Sequence, residues 1–203
     1  ALDNATTGTI TYGSGGGGGG GNNDAITGTV AEVIETLESK SSDYSGTITI
    51  TDADATSISA TNLSTIGAAT TGTVTVNNAI AITGDHDQVT AALVTAGTKV
   101  VVSDVTVTIS DADATAITAA ELSAIGGKTT GTVTVTNAVA ISGTTAEMIA
   151  ALVTASTKVE VEDPTVTISD TPTIAELNSI AAKTTGVVTA TLTPDSLANM
   201  AAL

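Results

Sequence analysis

The chain has 203 residues, of which 41% are hydrophobic and 1% aromatic, and it carries a formal net charge of −16 at pH 7. That charge, with only five basic residues, argues against a protein that grips nucleic acid or an anionic membrane surface. Cysteine is absent, which excludes disulfides and thiolate metal sites, and no apolar run approaches the roughly 18 residues that a membrane-spanning helix needs.

Residues 1–45 are predicted to form atypical N-terminal coils, interrupted by seven consecutive glycines at 15–21. The glycines are not followed by the Gly-Lys-Ser/Thr that a phosphate-binding loop requires. Residues 19–26 come close to one glycine-rich calcium nonapeptide, in which Asp24 would supply the carboxylate. Such motifs bind as tandem arrays, and this one stands alone. Two interpretations therefore remain, a surface loop or a calcium site that includes Asp24.

The middle of the chain repeats itself at an offset of 59 residues. Residues 51–56 return as residues 110–115, and residues 70–76 return as residues 129–135. A third copy starts in register at residue 169 and then loses four residues twice. A fixed long period indicates stacked copies of one supersecondary unit. We therefore divide the rest of the chain into repeat 1 at residues 46–104, repeat 2 at 105–163 and a shortened or truncated repeat 3 at 164–203.

Each repeat is predicted to contain two similar halves. Alternating Val/Thr runs indicate strands, and Thr118 with Glu121 forms the capping box of a short helix that a Gly-Gly pair ends. The second half ends in a helix with Met148 and Leu152 on one face. In repeat 2 the predicted order is strand, turn, short apolar segment and helix, followed by strand, short second strand and helix: residues 105–109, 110–113, 116–117, 118–125, 132–136, 139–141 and 144–152.

One threonine per strand forms a series of equivalent positions, with successive spacings from Thr49 of 26, 33, 26, 33 and 22 residues. Strand-plus-helix coils of nearly 30 residues lie in the leucine-rich-repeat range. We therefore predict an α/β repeat solenoid of leucine-rich-repeat-like coils, with one stacked parallel β-sheet on one side and short helices on the other. Valine and isoleucine should face inward, and these threonines should face outward from successive neighbouring strands: Thr11, Thr49, Thr75, Thr108, Thr134, Thr167 and Thr189.

Two pairs of aspartates recur one repeat apart, on the turn that follows a strand. Asp52 and Asp54 in repeat 1 correspond to Asp111 and Asp113 in repeat 2, whereas repeat 3 keeps only Asp170. Two carboxylates two residues apart can share a Ca²⁺ ion, with further oxygens from the adjacent coil. The alternative is a solvated turn in which the side chains accept hydrogen bonds from their own backbone.

The single histidine, His86, has Asp85 and Asp87 beside it and corresponds to Thr145 in the next repeat. We predict a surface loop residue there, and neither a metal ligand nor a catalytic base. No Ser/His/Asp set recurs, and the hydroxyl-rich strands offer no base to activate a nucleophile. The sequence therefore predicts a protein that is not an enzyme.

The repeat resembles those of very large secreted surface proteins of marine cyanobacteria and other aquatic bacteria. In those proteins, segments like residues 119–131 recur beside calcium-binding glycine-rich nonapeptides. The resemblance covers residues 46–203 well and residues 1–45 loosely. It implies an extracellular or cell-surface location, in an adhesin-like or surface-layer-like protein.

We expect a non-enzymatic structural segment of a long extracellular surface protein, such as a filament, stalk or surface-layer component, that assembles by coil stacking. Its partners would be copies of itself or neighbouring repeats of the same chain, met through end coils that include residues 1–14 and Leu203. The alternative is a binding module, either an adhesin or phage-fibre shaft that contacts glycan or an ice-binding threonine face. Both termini look like cuts through a longer chain, because no initiator methionine is present and the last residues fall inside a repeat.

Overall fold

A computed structural model describes residues 22–193, together with the backbone of Thr11 and Tyr12. The described residues form an α/β fold of short helices and short strands. The strands are β1 Thr11–Tyr12, β2 Ile26–Gly28, β3 Ile48–Ile50, β4 Ser57–Ser59, β5 Val74–Val76, β6 Ala81–Gly84, β7 Val100–Val101, β8 Thr106–Ile109, β9 Ala116–Thr118, β10 Val133–Val135, β11 Ala140–Gly143, β12 Val159–Val161, β13 Thr165–Ile168 and β14 Val188–Thr189. The helices are α1 Val30–Glu38, α2 Ala60–Ala68, α3 His86–Leu93, α4 Ala119–Gly126, α5 Thr145–Met148 and α6 Ile174–Ala181.

The strands are distributed over three sheets. Sheet A has the order β1-β2-β3-β5-β7, sheet B the order β4-β6-β8-β10-β12, and sheet C the order β9-β11-β13-β14. Every pairing is parallel except that of β1 with β2, which is antiparallel. The predicted α/β class with parallel strands and short helices is therefore confirmed for the described residues.

The prediction of one continuous sheet is wrong. Thr75 pairs with Thr49 and Val101, whereas Thr108 pairs with Thr83 and Thr134, so Thr75 and Thr108 lie in different sheets. Two strands, β6 and β7, lie between the strands that carry them. The 33-residue interval contains one strand more than the 26-residue interval, and this extra strand carries the chain into the next sheet.

Equivalent strands of successive repeats consequently occupy successive sheets. Strands β3, β5 and β7 of repeat 1 lie in sheet A, whereas β8, β10 and β12 of repeat 2 lie in sheet B, and β13 and β14 of repeat 3 lie in sheet C. The other strands of each repeat already belong to the following sheet, as β4 and β6 belong to sheet B. A sheet such as sheet B therefore combines strands from two successive repeats, β4 and β6 from repeat 1 and β8, β10 and β12 from repeat 2.

The core is formed by the inward residues of the strands and one face of each helix. In β3, β5 and β10 the outer two residues are buried and the central threonine is half-buried, so the predicted inward valine and isoleucine are confirmed there. On the inward faces of α2, α4 and α5, the buried side chains include Leu63, Leu122 and Met148. Neighbouring helices pack on one another, as α2 does on α3 and α3 on α4. Burial of small branched side chains of this kind provides most of the driving force for folding.

The helices begin at well-defined caps. Five of them carry a capping box, in which the N-cap side chain accepts from the third helical amide while the third side chain accepts from the N-cap amide. The Thr118–Glu121 box predicted from the sequence is one of these. Helix α2 has only the N-cap bond, in which Ser59 accepts from the Asn62 amide at 3.2 Å. Helix α5 continues as a π-helical turn, Ile149–Val153, which ends one residue beyond the predicted 144–152 helix.

Candidate functional site

The aspartate turn of repeat 1 connects two different parts of the fold. It lies between β3 and β4. Asp52 Oδ2 accepts a hydrogen bond of 2.7 Å from the amide of Val30, the first residue of α1. Asp54 Oδ1 accepts one of 3.0 Å from the amide of Ala79, which precedes β6. The two carboxylates therefore accept hydrogen bonds from different elements: Asp52 from helix α1, which precedes the turn in the chain, and Asp54 from the segment before β6, which follows it.

Repeat 2 reproduces this arrangement between β8 and β9. Asp111 Oδ2 accepts from the amide of His86, the first residue of α3, at 2.7 Å. Asp113 Oδ1 accepts from the amide of Ala138 at 3.1 Å. In repeat 3, Asp170 Oδ1 accepts from both the amide and the hydroxyl of Thr145, the first residue of α5, at 2.7 and 2.6 Å. One aspartate per repeat thus binds a helix that precedes it in the chain.

These aspartates satisfy helix amides that the helix itself leaves without a partner. The first four amides of a helix have no acceptor within it, and the N-cap side chain supplies one only for the third residue. The aspartate from the next repeat supplies an acceptor for the first residue, and its negative charge is favourable at this end of the helix. At Asp170, the Thr145 hydroxyl and then the Thr145 amide hold the pKa of the carboxyl below its usual value.

The same turns are also bound by the turn that follows them. Asn78 Nδ2 donates to the backbone carbonyl of Asp52 at 2.7 Å, and Asn137 Nδ2 donates to that of Asp111 at 2.5 Å. Next to these bonds, the amide of Ala114 donates to the Ala138 carbonyl at 2.9 Å, with Ala114 in the left-handed region at φ 61°. The turn is therefore fixed by its neighbours, and it also closes on its own backbone, because the Thr56 and Thr115 amides donate to the Ala53 and Ala112 carbonyls at 3.1 Å.

Calcium binding at these turns stays a prediction. Asp52 and Asp54 each have an amide donor, and both oxygens of Asp111 contact His86, so we assign Asp111 to α3 and not to a metal ion. Within residues 22–193, no group of three or more acidic or histidine side chains is placed to hold a metal. The backbone carbonyl of Asp24 accepts from the Tyr44 hydroxyl at 2.6 Å, and the glycines at 15–21 lie outside the described residues.

The prediction that His86 is a surface loop residue is wrong. His86 begins α3, its side chain is only 13% exposed, and its Nδ1 lies 2.7 Å from Oδ1 of the buried Asp111. The Asp85–Gln88 capping box is the sequence signal that would have placed His86 inside the helix. Its contact with Asp111, 25 residues away, had no local signal.

The charge environment of His86 is acidic. Burial lowers the pKa of the imidazole, but the hydrogen bond that it donates to Asp111 and the charges of Asp111, Asp87 and Glu121 raise it, and on balance the pKa is raised from 6.5. Asp87 Oδ1 is 3.6 Å from His86 Nε2. Glu121 is the capping-box carboxylate of α4, and the Thr118 hydroxyl and amide hold its own pKa below the usual value. These carboxylates therefore favour the protonated imidazole more than water does around a free histidine.

The recurring Thr-Thr-Gly motif has a structural role. The first threonine donates its hydroxyl to a carbonyl of the preceding strand region and accepts from the glycine amide, as Thr129 does with Val105 and Gly131 at 2.6 and 3.0 Å. A Cβ atom on Gly131 would lie 2.2 Å from the Val105 carbonyl oxygen, so only glycine fits this approach. Thr70 with Gly72 and Thr184 with Gly186 repeat these contacts in the other repeats.

Outward hydroxyl groups form rows across the parallel strands. In sheet B, one row consists of Ser59, Thr83, Thr108 and Thr134 and ends at Glu160. In sheet C, a second row consists of Thr118, Ser142, Thr167 and Thr189. In sheet A, the row through Thr49 and Thr75 ends at Val101, which is 52% exposed. These rows are the described surfaces on which a ligand could meet repeated hydroxyls.

No protein family, curated protein sequence or solved structure matches this chain. Among the helices within residues 22–193, none combines the length and the apolar character that crossing a bilayer requires. The predicted contact residues 1–14 and Leu203 lie, apart from Thr11 and Tyr12, outside the described part of the chain.

Proposed function

We propose that the chain is a non-enzymatic structural segment of an extracellular surface protein, and that it assembles by stacking of coils. The observation that carries the proposal is the direction of its recurring polar contacts. The Asp52, Asp111 and Asp170 carboxylates and the Thr70, Thr129 and Thr184 hydroxyls each bind an element that precedes them in the chain. Contacts that serve cohesion at every repeat are what a stiff stalk, filament or surface layer requires.

The finer architecture that we propose is a repeat solenoid. Parallel pairing in sheet B runs in one register through Ile58, Ile82, Val107, Val133 and Val159. Each of these residues lies 24 to 26 positions after the previous one, a separation that fits one coil of a strand-and-helix solenoid. Because each coil contacts its neighbours, stability would grow with the number of coils.

The outer edge of β14 is the proposed assembly site. In sheets A and B, the residues equivalent to Val188 donate their amides to a further strand region, Val74 to Lys99 and Val133 to Lys158, both at about 3 Å. Strand β14 is the last strand of sheet C among the described residues. No described strand pairs with the outer edge of β14, and a parallel edge without a partner is a template for another strand, which we propose a neighbouring repeat or a second subunit supplies. At the other end, β1 covers the edge of β2 with an antiparallel pairing.

Substitution at this edge tests the proposal. Val188→Pro removes the outward amide, and proline is tolerated on edge strands, so we expect wild type to form polymers or lattices in negative-stain images and the variant to remain monomeric. Thr134→Lys, on the outward row of sheet B, is the control and should still assemble. Circular dichroism establishes that both variants remain folded. Monomeric wild type, or assembly lost only in Thr134→Lys, would contradict the end-stacking proposal.

The hydroxyl rows support a second candidate function, a binding module. Strands in a sheet lie about 4.8 Å apart, so the rows in sheets B and C present hydroxyls at a regular spacing to a glycan or to an ice surface. The two functions differ in their partners: a binding module would act as a monomer and would lose glycan binding or slowing of ice growth in Thr134→Lys.

A further inference from the structure

The first residues of α1, α3 and α5 make the same backbone contact with an aspartate, and they differ in the further contact that their side chains can make with it. The amides of Val30, His86 and Thr145 all donate to an aspartate of the following repeat, at 2.7 Å in each case. The valine side chain adds no polar group, and the Thr145 hydroxyl adds a neutral hydrogen bond to Asp170. The His86 imidazole alone adds a group that can change its charge near neutral pH.

We propose that His86 and Asp111 form a pH-dependent latch, which ties α3 to the turn between β8 and β9 more tightly when the imidazole is protonated. The geometry provides two parallel contacts, His86 amide to Oδ2 and His86 Nδ1 to Oδ1, each of 2.7 Å. Asp111 is 7% exposed, so the pair lies largely out of water. A charge-assisted bond in such a setting is stronger than its neutral counterpart.

The charged groups around the imidazole come from three elements. Asp87 lies on α3 itself, Asp111 on the turn and Glu121 on α4, and all three are acidic. The N-terminal end of α3 opposes a positive charge, because the helix dipole is positive there. Burial also opposes it, but the three carboxylates outweigh burial, and the imidazole pKa is raised from 6.5.

The sign of the pH effect follows from this shift. Because the native pKa lies above the unfolded value of about 6.5, the latch contributes fully below that pH and its contribution is lost as the pH rises through the native pKa. The latch spans the boundary between repeat 1 and repeat 2, where the chain enters sheet C through β9. A rise in pH through the native pKa of His86 would therefore weaken the molecule at this boundary.

NMR titration of the protein's single histidine tests the latch directly, because no other imidazole overlaps its ring signals. We expect a native pKa above 6.5 that decreases in Asp111→Asn. His86→Thr reproduces the neutral contact of Thr145 with Asp170 and is the matched control for stability. Between pH 5.5 and pH 9, the ratio of the wild-type unfolding constant to that of His86→Thr should rise tenfold for each unit by which the native pKa exceeds the unfolded one.

Three results would overturn the latch: a native pKa at or below 6.5, an unchanged pKa in Asp111→Asn, or a ratio of unfolding constants that is the same at both pH values. If Asp111→Asn does not fold, the comparison of wild type with His86→Thr and the wild-type titration still decide the question. Both of these use the intact chain, and His86→Thr keeps the backbone contact to Asp111.

Discussion

At the scale of single residues, one threonine hydroxyl joins two backbone segments. Thr129 Oγ1 donates to the Val105 carbonyl and accepts from the Gly131 amide, and the residue is 6% exposed. Its neighbour Thr130 is exposed, and its hydroxyl donates to the Ser103 carbonyl at 3.2 Å. The two adjacent threonines therefore have the same chemistry but different burial, which makes them a matched pair.

We predict that Thr129→Val destabilises the protein by about 1–3 kcal/mol, because it leaves a buried carbonyl and an amide without their partner. Thr130→Val should change the free energy of unfolding by less than about 0.5 kcal/mol, because water replaces an exposed hydroxyl. Urea unfolding of both variants measures the difference. Equal effects of the two substitutions would show that the buried bridge does not contribute to stability.

At the scale of secondary-structure elements, α2 is the helix with an incomplete cap. Ser59 caps its third amide, but Asn62 stands where other helices have glutamate or glutamine, such as Glu121 in α4. The equivalent position in α3 is Gln88, whose Oε1 accepts from the Asp85 amide at 3.3 Å. The bond that α2 lacks is therefore the one from the N-cap amide, here that of Ser59, to the side chain of the third helical residue.

We predict that Asn62→Glu stabilises the protein by about 0.3–1 kcal/mol, the usual contribution of an acidic side chain in the first helical turn. The glutamate would accept from the Ser59 amide, as Glu121 accepts from the Thr118 amide at 2.9 Å. The increase should appear as a higher melting temperature at neutral pH. Asn62→Gln separates the hydrogen bond from the charge, and a decrease in both variants would refute the capping argument.

The helices and strands could be predicted because their signals are local. The capping box at Thr118 and the Val/Thr alternation of β10 lie within a few residues of the elements they define. The sheet to which a strand belongs could not be predicted, because β7 is the two-residue strand Val100–Val101 and has no alternation to mark it. Without that strand, the 33-residue interval looks like one long coil.

The candidate site was only half predictable for a similar reason. The recurrence of Asp52 and Asp111 marked the right turns, and oxygen ligands with this spacing suggested calcium. Their partners, the amides of Val30 and His86, lie 22 and 25 residues earlier in the chain. Whether residues so far apart in the chain come into contact depends on which strands pair. Because the sequence predicted one continuous sheet, it could not predict these contacts.

At the scale of the whole molecule, the glutamates of several helix caps along the chain have lowered pKa values. The Thr144 amide and hydroxyl hold the pKa of Glu147 below its usual value, and the Thr173 amide and hydroxyl do the same for Glu176. A carboxylate with a lowered native pKa stabilises the fold above its unfolded pKa, about 4.3, and this contribution is lost as the pH falls through the native value.

We therefore predict that Glu147→Gln with Glu176→Gln removes a pH-dependent part of the stability. Glutamine keeps the capping hydrogen bond, as Gln88 does in α3, but cannot ionise. Wild type should be more stable than the double variant at pH 6, and the two melting temperatures should converge as the pH falls below about 4.3. A difference that stays constant from pH 6 to pH 3 would contradict this assignment.

The passage of the chain from one sheet to the next has a genetic consequence. Strand β3 lies between β2 and β5, and its equivalent β8 lies between β6 and β10, so each repeat meets the same kind of neighbour on both sides. Unequal recombination that removes or inserts 59 codons between two repeats, as between Ser59 and Ala119, would leave every strand with an equivalent partner. The length of the molecule could then change by whole repeats within a population, without any compensating substitution in the core.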